Sequence, residues 1–351
     1  MKYIKSRKQF NSLMIEGVHY DEEIYFFYNY CYDLYKNPNN TKYIPLRPSI
    51  TVTKFSSTPE IGCYKKFREH IMKIKPSKNE YKVIGGGIPF DKTSNIKVPY
   101  IYDIKEKGRA MLAGTSFDYL ARIVLCKYSN CKFKLNETKG YYWLQHSIDS
   151  FSIINKELLI KTKILMDELE LNIESYMESD NDIFSDSMLE GICILSRLEN
   201  AYRSGISDLE GYEKTLLMKY DNVIYDLKNL GKNFIENFIQ VLNINKNSKI
   251  ILNPNFGSKS SGFKADGDVI IDGCLIDFKV SKNYKYEGKD ACQITTYYML
   301  NEFNKNNNNI TVFDFSSVAL YNVRYGKILK FDIANKVSLE KRKEIIKSLI
   351  F

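Results

Sequence analysis

Residues 264–282 read KADGDVIIDGCLIDFKVSK. Two short apolar runs flank Asp272-Gly273, a pair suited to the positive φ angles of a type I′ turn, so a two-residue β-hairpin is predicted here. Such a turn fixes the register, pairing Ile271 with Cys274, Ile270 with Leu275 and Val269 with Ile276. The next opposed pair is Asp268 and Asp277, and two steps further Asp266 faces Lys279. Side chains alternate along a strand, which gathers Asp266, Asp268, Asp277 and Lys279 on one face. Val269, Ile271, Ile276, Phe278 and Val280 take the other, the expected core side.

Opposed as predicted, Asp268 and Asp277 would carry Cβ atoms about 5 Å apart. Like charges in that position destabilise a hairpin unless a cation lies between them. Solvated charges on a wet hairpin face are the plain alternative, and a lone Asp-x-Lys would be read that way. The second, directly paired aspartate favours a site. Oxygen ligands alone select a hard divalent ion, Mg²⁺ or Mn²⁺. Lys279 reaches the same face, where it can contact a phosphate or orient a metal-bound water. The set suits phosphodiester hydrolysis.

Outward from the hairpin, KIILNPNFG is β-prone and KDACQITTYYMLNEF is helical. In that helix Gln293 and Tyr297 lie one turn apart and face together. A polar run, NKNNNN, reads as a loop. SSVALYNVRYGKILKFDI reads as a second hairpin, followed by a closing helix with Ser338 as its N-cap. Upstream, Phe117, Leu120, Ile123 and Val124 recur at helical spacing, which predicts a helix from about Met111 to Tyr128. Residues 142–245 read as a helical block. Near the N-terminus EEIYFFYNYCYDLY suits either a helix or a strand, and IPLRPSITVTKF is β-prone. VIGGGIPF is a glycine turn; no Gly-Lys-Ser/Thr follows it, so it is not read as a P-loop.

The chain has 351 residues, of which 44% are apolar, enough to bury a sizeable core. A formal charge of +9 is compatible with a polyanionic partner, although abundant Lys, Asn, Ile and Tyr also follow from an AT-rich genome. The 7 cysteines are odd in number and form no Cys-x-x-Cys pair, so reduced thiols and a cytoplasmic location are expected. Only Cys126 and Cys131 are near neighbours. MKYIKSRKQF has no apolar run behind its charges, and no run is long enough to span a bilayer, so no signal peptide and no membrane partner are expected. His19, His70 and His146 have no ligand spacing and read as structural or surface residues.

Asp268, the Asp277-Phe278-Lys279 tripeptide and QITTY at Gln293–Tyr297 together resemble the PD-(D/E)XK nuclease superfamily, in particular its RecB-like branch. Gly114–Asp118, GTSFD, stands where that branch carries Gly-x-x-x-His, with Asp in place of His. The resemblance covers residues 110–128 and 249–325. It implies an α/β, restriction-endonuclease-like core, a mixed central sheet flanked by helices, from residues 111–128 and 249–351. Residues 129–248 would be a helical insertion and residues 1–110 an N-terminal extension.

The activity implied is a Mg²⁺- or Mn²⁺-dependent deoxyribonuclease. Asp268, Asp277 and the backbone carbonyl of Phe278 would hold the ion, with Asp118 and Asp266 as further candidate ligands. Lys279 would orient or deprotonate the attacking water, and Gln293 and Tyr297 would contact DNA or position Lys279. Gly114 would let its helix approach the sheet or a phosphate closely. Glu199 is a further candidate carboxylate or a surface charge, and Arg203 is equally open. Lys282, Lys285 and Lys289 either track a DNA backbone or sit in a solvated loop. The cysteine pattern of the iron–sulfur members is absent, so no cluster is expected. The implied partner is DNA, single-stranded or bearing ends, and a protein partner or second copy is compatible with the chain. Recombination and repair, phage replication and defence against foreign DNA all suit such an enzyme. The alternatives are a nuclease subunit regulated by a partner or effector, and a non-catalytic nucleic-acid-binding module on the same fold.

Overall fold

Asp272 and Gly273 adopt φ angles of 46° and 75°, the left-handed pair that a type I′ turn requires. The turn joins strands that pair Ile271 with Cys274, Ile270 with Leu275 and Val269 with Ile276, in the predicted register. The computed structural model describes residues 50–58, 64–150, 156–204, 219–258, 261–305 and 311–349. EEIYFFYNYCYDLY and His19 lie outside these residues.

The described residues open with β1 (Ile50–Thr51), α1 (Val52–Ser57), α2 (Lys65–Ile74) and β2 (Lys82–Val83). A run of helices follows: α3 (Lys107–Tyr128), α4 (Lys139–Ser150), α5 (Lys156–Glu178), α6 (Asp186–Ser204) and α7 (Asp221–Phe234). Then come β3 (Ile250–Leu252), β4 (Phe263–Lys264), β5 (Val269–Ile271), β6 (Cys274–Lys279), α8 (Gly288–Asn304), β7 (Ser317–Asn322), β8 (Lys327–Phe331), α9 (Ile333–Lys336) and α10 (Leu339–Lys347). Ser338 caps α10 as expected, its hydroxyl accepting from Lys341 N–H at 3.3 Å. IPLRPSITVTKF is β-prone in sequence, yet of its described residues, 50–55, only Ile50–Thr51 is strand. Thr51 accepts from Lys54 N–H at 3.2 Å, and this N-cap starts α1.

Six strands form a mixed sheet in the order β2-β8-β7-β6-β5-β3. Within it β6 and β7 run parallel and the other neighbours antiparallel. The parallel pair needs a crossover, which α8 provides. The chain is therefore a mixed α/β protein, with helices on both faces of the sheet.

The sheet has no wet face at its centre. Val269, Ile271, Ile276, Phe278, Tyr321 and Ile328 share one core cluster with residues of α3, α5, α6 and α7, with Phe117 of α3 and Phe234 of α7 directly on Phe278. Ile270, Leu275, Val318, Leu320, Leu329 and Phe331 pack on the opposite side against α1, α2, α8 and α10. The face expected to carry Asp266, Asp268, Asp277 and Lys279 is thus, over the middle of the strands, a second core. Residues 50–58 and 64–103, read from sequence as part of an extension, are woven into these layers. They supply the edge strand β2, and α1 and α2 cover the same sheet face as α8.

Candidate active site

β6 ends in Asp277-Phe278-Lys279, and beyond Val269 its partner β5 stops. The predicted Asp268–Asp277 ladder pair therefore does not form. Asp268 turns its carboxylate to Phe278 N–H, at 2.6 Å, where a strand carbonyl would otherwise stand. Residues 263–267 peel away towards residues 254–258: Phe256 N–H bonds the Ala265 carbonyl at 2.7 Å, and Asp266 bridges Asn255. Asp266 therefore does not face Lys279 across a ladder. Its carboxylate pairs with Lys139 at the start of α4.

Asp277 is 3% exposed. Burial pushes its carboxyl up to about 6; Lys279 opposes that shift and Asp268 adds to it. Lys279 Nζ lies 2.6 Å from Asp277 Oδ2 and 3.5 Å from Asp290 Oδ1. Burial disfavours the ammonium, but Asp277, Asp290 and Asp268 more than offset it, and the pKa rises above the usual lysine value.

The helix α8 covers this end of β6 and completes a hydrogen-bonded chain. Lys279 Nζ donates to Gln293 Oε1 at 3.1 Å, and Gln293 Nε2 donates to the Tyr297 hydroxyl at 3.1 Å. Tyr297 in turn donates to the Asp266 carbonyl at 2.8 Å. The four-residue spacing of Gln293 and Tyr297 puts both on the lysine side of the helix. Asp290, one turn earlier, is a site residue that sequence reasoning missed. Its signal was the same helical spacing, read one step towards the N-terminus.

A third element brings more acid. Asp118, half-buried on α3, has its pKa raised well above the carboxylate range by burial and then by Asp268; Arg122 opposes, while Asp277 and Glu199 add. Glu199, on α6, is 4% exposed and accepts a hydrogen bond from the Tyr119 hydroxyl. Arg122 donates from Nε to the Asp118 carbonyl at 2.9 Å and lies 4.3 Å from the Tyr119 ring centre. Three carboxylates, from the β5–β6 hairpin and α6, thus act on Asp118 of α3. Glu199, open in the sequence between carboxylate ligand and surface charge, is a buried member of this group.

Several expected contributors stand elsewhere. Gly114 has open space where a Cβ would be, so close packing against the sheet does not require it. The close helix contact belongs to Gly140, whose Cβ would meet Leu195 O at 2.4 Å and Glu199 N at 3.3 Å. Lys285 and Lys289 both pair with Glu287, at 3.3 and 2.8 Å, while Lys282 lies 5.4 Å from the centre of the Tyr100 ring. His70 is a buried residue of α2, 3.7 Å from Glu344. The side chains of His146 and Arg203 lie outside the described residues.

Among the described residues no three His, Cys, Asp or Glu side chains are arranged to hold an ion. Lys279 occupies one flank of Asp277, and Phe278 N–H engages Asp268. The donor chemistry nevertheless fits a hard divalent cation: the groups are all oxygen, buried or half-buried, and Asp268, Asp277 and Glu199 all raise the Asp118 carboxyl. A shared ion requires these carboxylates to turn from their present positions. The Phe278 carbonyl lies on β6 between the two charged residues, where the strand pairs with Tyr321 of β7. Among the described residues no helix is long and apolar enough to cross a membrane. No family model, curated protein or solved structure matches the chain.

Proposed function

We propose that this protein is a metal-dependent nuclease that hydrolyses DNA phosphodiester bonds, with a PD-(D/E)XK-like core. The observation that carries the reading is the pairing of Lys279 with Asp277 and its link through Gln293 to Tyr297, beside Asp268 and Asp118. Asp268 and Asp277 would hold Mg²⁺ or Mn²⁺, with Asp118, Glu199 and the Phe278 carbonyl as further oxygen donors. The bound ion would polarise the phosphate and acidify a water. Lys279, whose ammonium Asp277 and Asp290 favour, would donate a hydrogen bond to a phosphate oxygen or orient the attacking water. Gln293 and Tyr297 fix where the ammonium points. Asp266 is tied to Lys139 and is not assigned to the ion.

The test is incubation of purified protein with linear, circular and single-stranded DNA, with Mg²⁺ or Mn²⁺ against chelator. Metal-dependent cleavage is expected, and Asp277→Ala and Lys279→Ala should each lower it by about a hundredfold or more while the far-ultraviolet circular dichroism stays native. Full activity in either variant refutes the assignment. DNA binding without hydrolysis by the wild type identifies a binding module instead.

A further inference from the structure

The last turn of α3 and the chain that leaves it bring two thiols together. Cys126 Sγ and Cys131 Sγ are 2.7 Å apart, and both cysteines are free. The backbone holds them there. Ser129 N–H and Oγ both bond the Leu125 carbonyl, at 3.0 and 2.7 Å, and Cys131 N–H donates to Ser129 Oγ at 3.2 Å. Lys246 Nζ clamps the turn from outside, donating to the carbonyls of Lys127 at 2.8 Å and Ser129 at 2.9 Å. Asn130 Nδ2 returns a bond to the Lys246 carbonyl at 2.7 Å.

The two sulfurs are not equivalent. Cys126 is 1% exposed and sealed in the core, while Cys131 is half-buried and open to a small solute. Their separation lies inside ordinary non-bonded contact, and a small approach reaches the disulfide length of about 2.05 Å. We propose that Cys126 and Cys131 form an oxidisable dithiol that peroxide converts reversibly to an intramolecular disulfide.

The chemistry runs in two steps. The Cys131 thiolate attacks a peroxide oxygen; the O–O bond breaks, and the hydroxide released takes a proton to become water. Cys131 is then a sulfenic acid. The Cys126 sulfur attacks it, the S–O bond breaks, and the departing hydroxide takes the Cys126 proton as a second water. Two thiols lose two electrons in all, and one hydrogen peroxide becomes two waters. The order of attack follows from access. It also follows from acidity: the Cys126 hydrogen bond, with help from Ser129 and Lys246, brings the Cys131 thiol down to about 7, whereas the Cys126 thiol is pushed up. The pair sits on the helix that carries Asp118 and Arg122, with Cys126 one turn beyond Arg122, but its oxidation does not depend on the proposed nuclease reading.

Trypsin separates the two cysteines, because Arg122, Lys127 and Lys132 bracket them. The peptides IVLCK and YSNCK then remain joined only through a disulfide. Native full-length protein is treated with hydrogen peroxide, quenched with N-ethylmaleimide, denatured and digested. The joined pair is expected in the mass spectrum, lost again when dithiothreitol precedes the quench. Cys126→Ser should leave a Cys131 sulfenic acid that dimedone traps. Maleimide on both wild-type peptides, a Cys131 sulfinic acid beside an alkylated Cys126, or either cysteine linked elsewhere would overturn the proposal. The wild-type map decides the matter even if the serine variant does not fold.

Discussion

Asp277 is the residue on which the site turns. Its carboxyl is pushed up to about 6 chiefly by burial. The native state then holds more protons than the unfolded chain between the ordinary carboxylate range and about 6. Stability from this group is present at the acid end of that window and is lost as pH rises through it. Asp277→Asn removes the titration and leaves Asp118 and Asp290 in place. Without metal, the wild type should lose about 3 kcal/mol relative to Asp277→Asn between pH of about 4 and about 7. Urea denaturation at both pH values measures the gap, and an unchanged gap contradicts the assignment. At this scale the sequence was informative where the alternation of a hairpin and the spacing of a helix sufficed, as for Asp277, Lys279, Gln293 and Tyr297. It was uninformative for Asp266, whose partner Lys139 lies 127 residues away at the start of α4.

At the scale of elements, the helices are set by where a side chain is missing. Gly140 of α4 lies against the Leu195 carbonyl of α6, and a Cβ there would stand 2.4 Å from that oxygen. Gly140→Ala must push α4 away from the segment that carries Glu199, at a cost of about 1–3 kcal/mol. Gly114→Ala meets nothing within 4 Å and should stabilise α3 by about 0.5–1 kcal/mol. Denaturant midpoints of the two variants should therefore move in opposite directions from the wild type. Both glycines look alike in sequence, a single Gly in a helical run, because close approach is a property of two helices and not of one. Burial of β5 and β6 on both faces was better signalled. Val269-Ile270-Ile271 and Cys274-Leu275-Ile276 are unbroken apolar runs, as expected of strands covered on both sides. α1 shows the reverse case, where one N-cap outweighs the β-branched residues of a short segment.

Over the whole molecule, one buried ion pair ties the helical layer to the sheet. Arg324, in the β7–β8 turn, meets Asp226 of α7 through two bonds, of 2.9 and 2.6 Å, and also donates to the carbonyls of Pro99 and Val280. Both partners are essentially sealed from solvent. Arg324→Ala should cost about 3–5 kcal/mol, because it strands the Asp226 carboxylate. Arg324→Met combined with Asp226→Leu should recover much of that loss, which chemical denaturation of the three proteins can measure. Equal losses in the single and double variants would contradict this account. The strand order has its own consequence in time. β2 finds its place only beside β8, roughly 250 residues further along the chain, and at ribosomal speeds its partner emerges on the order of ten to fifty seconds later. Until then the apolar face of α1 and α2 waits for α8 and α10, so the nascent chain passes through an interval in which a chaperone, or a neighbouring nascent chain, competes for that surface.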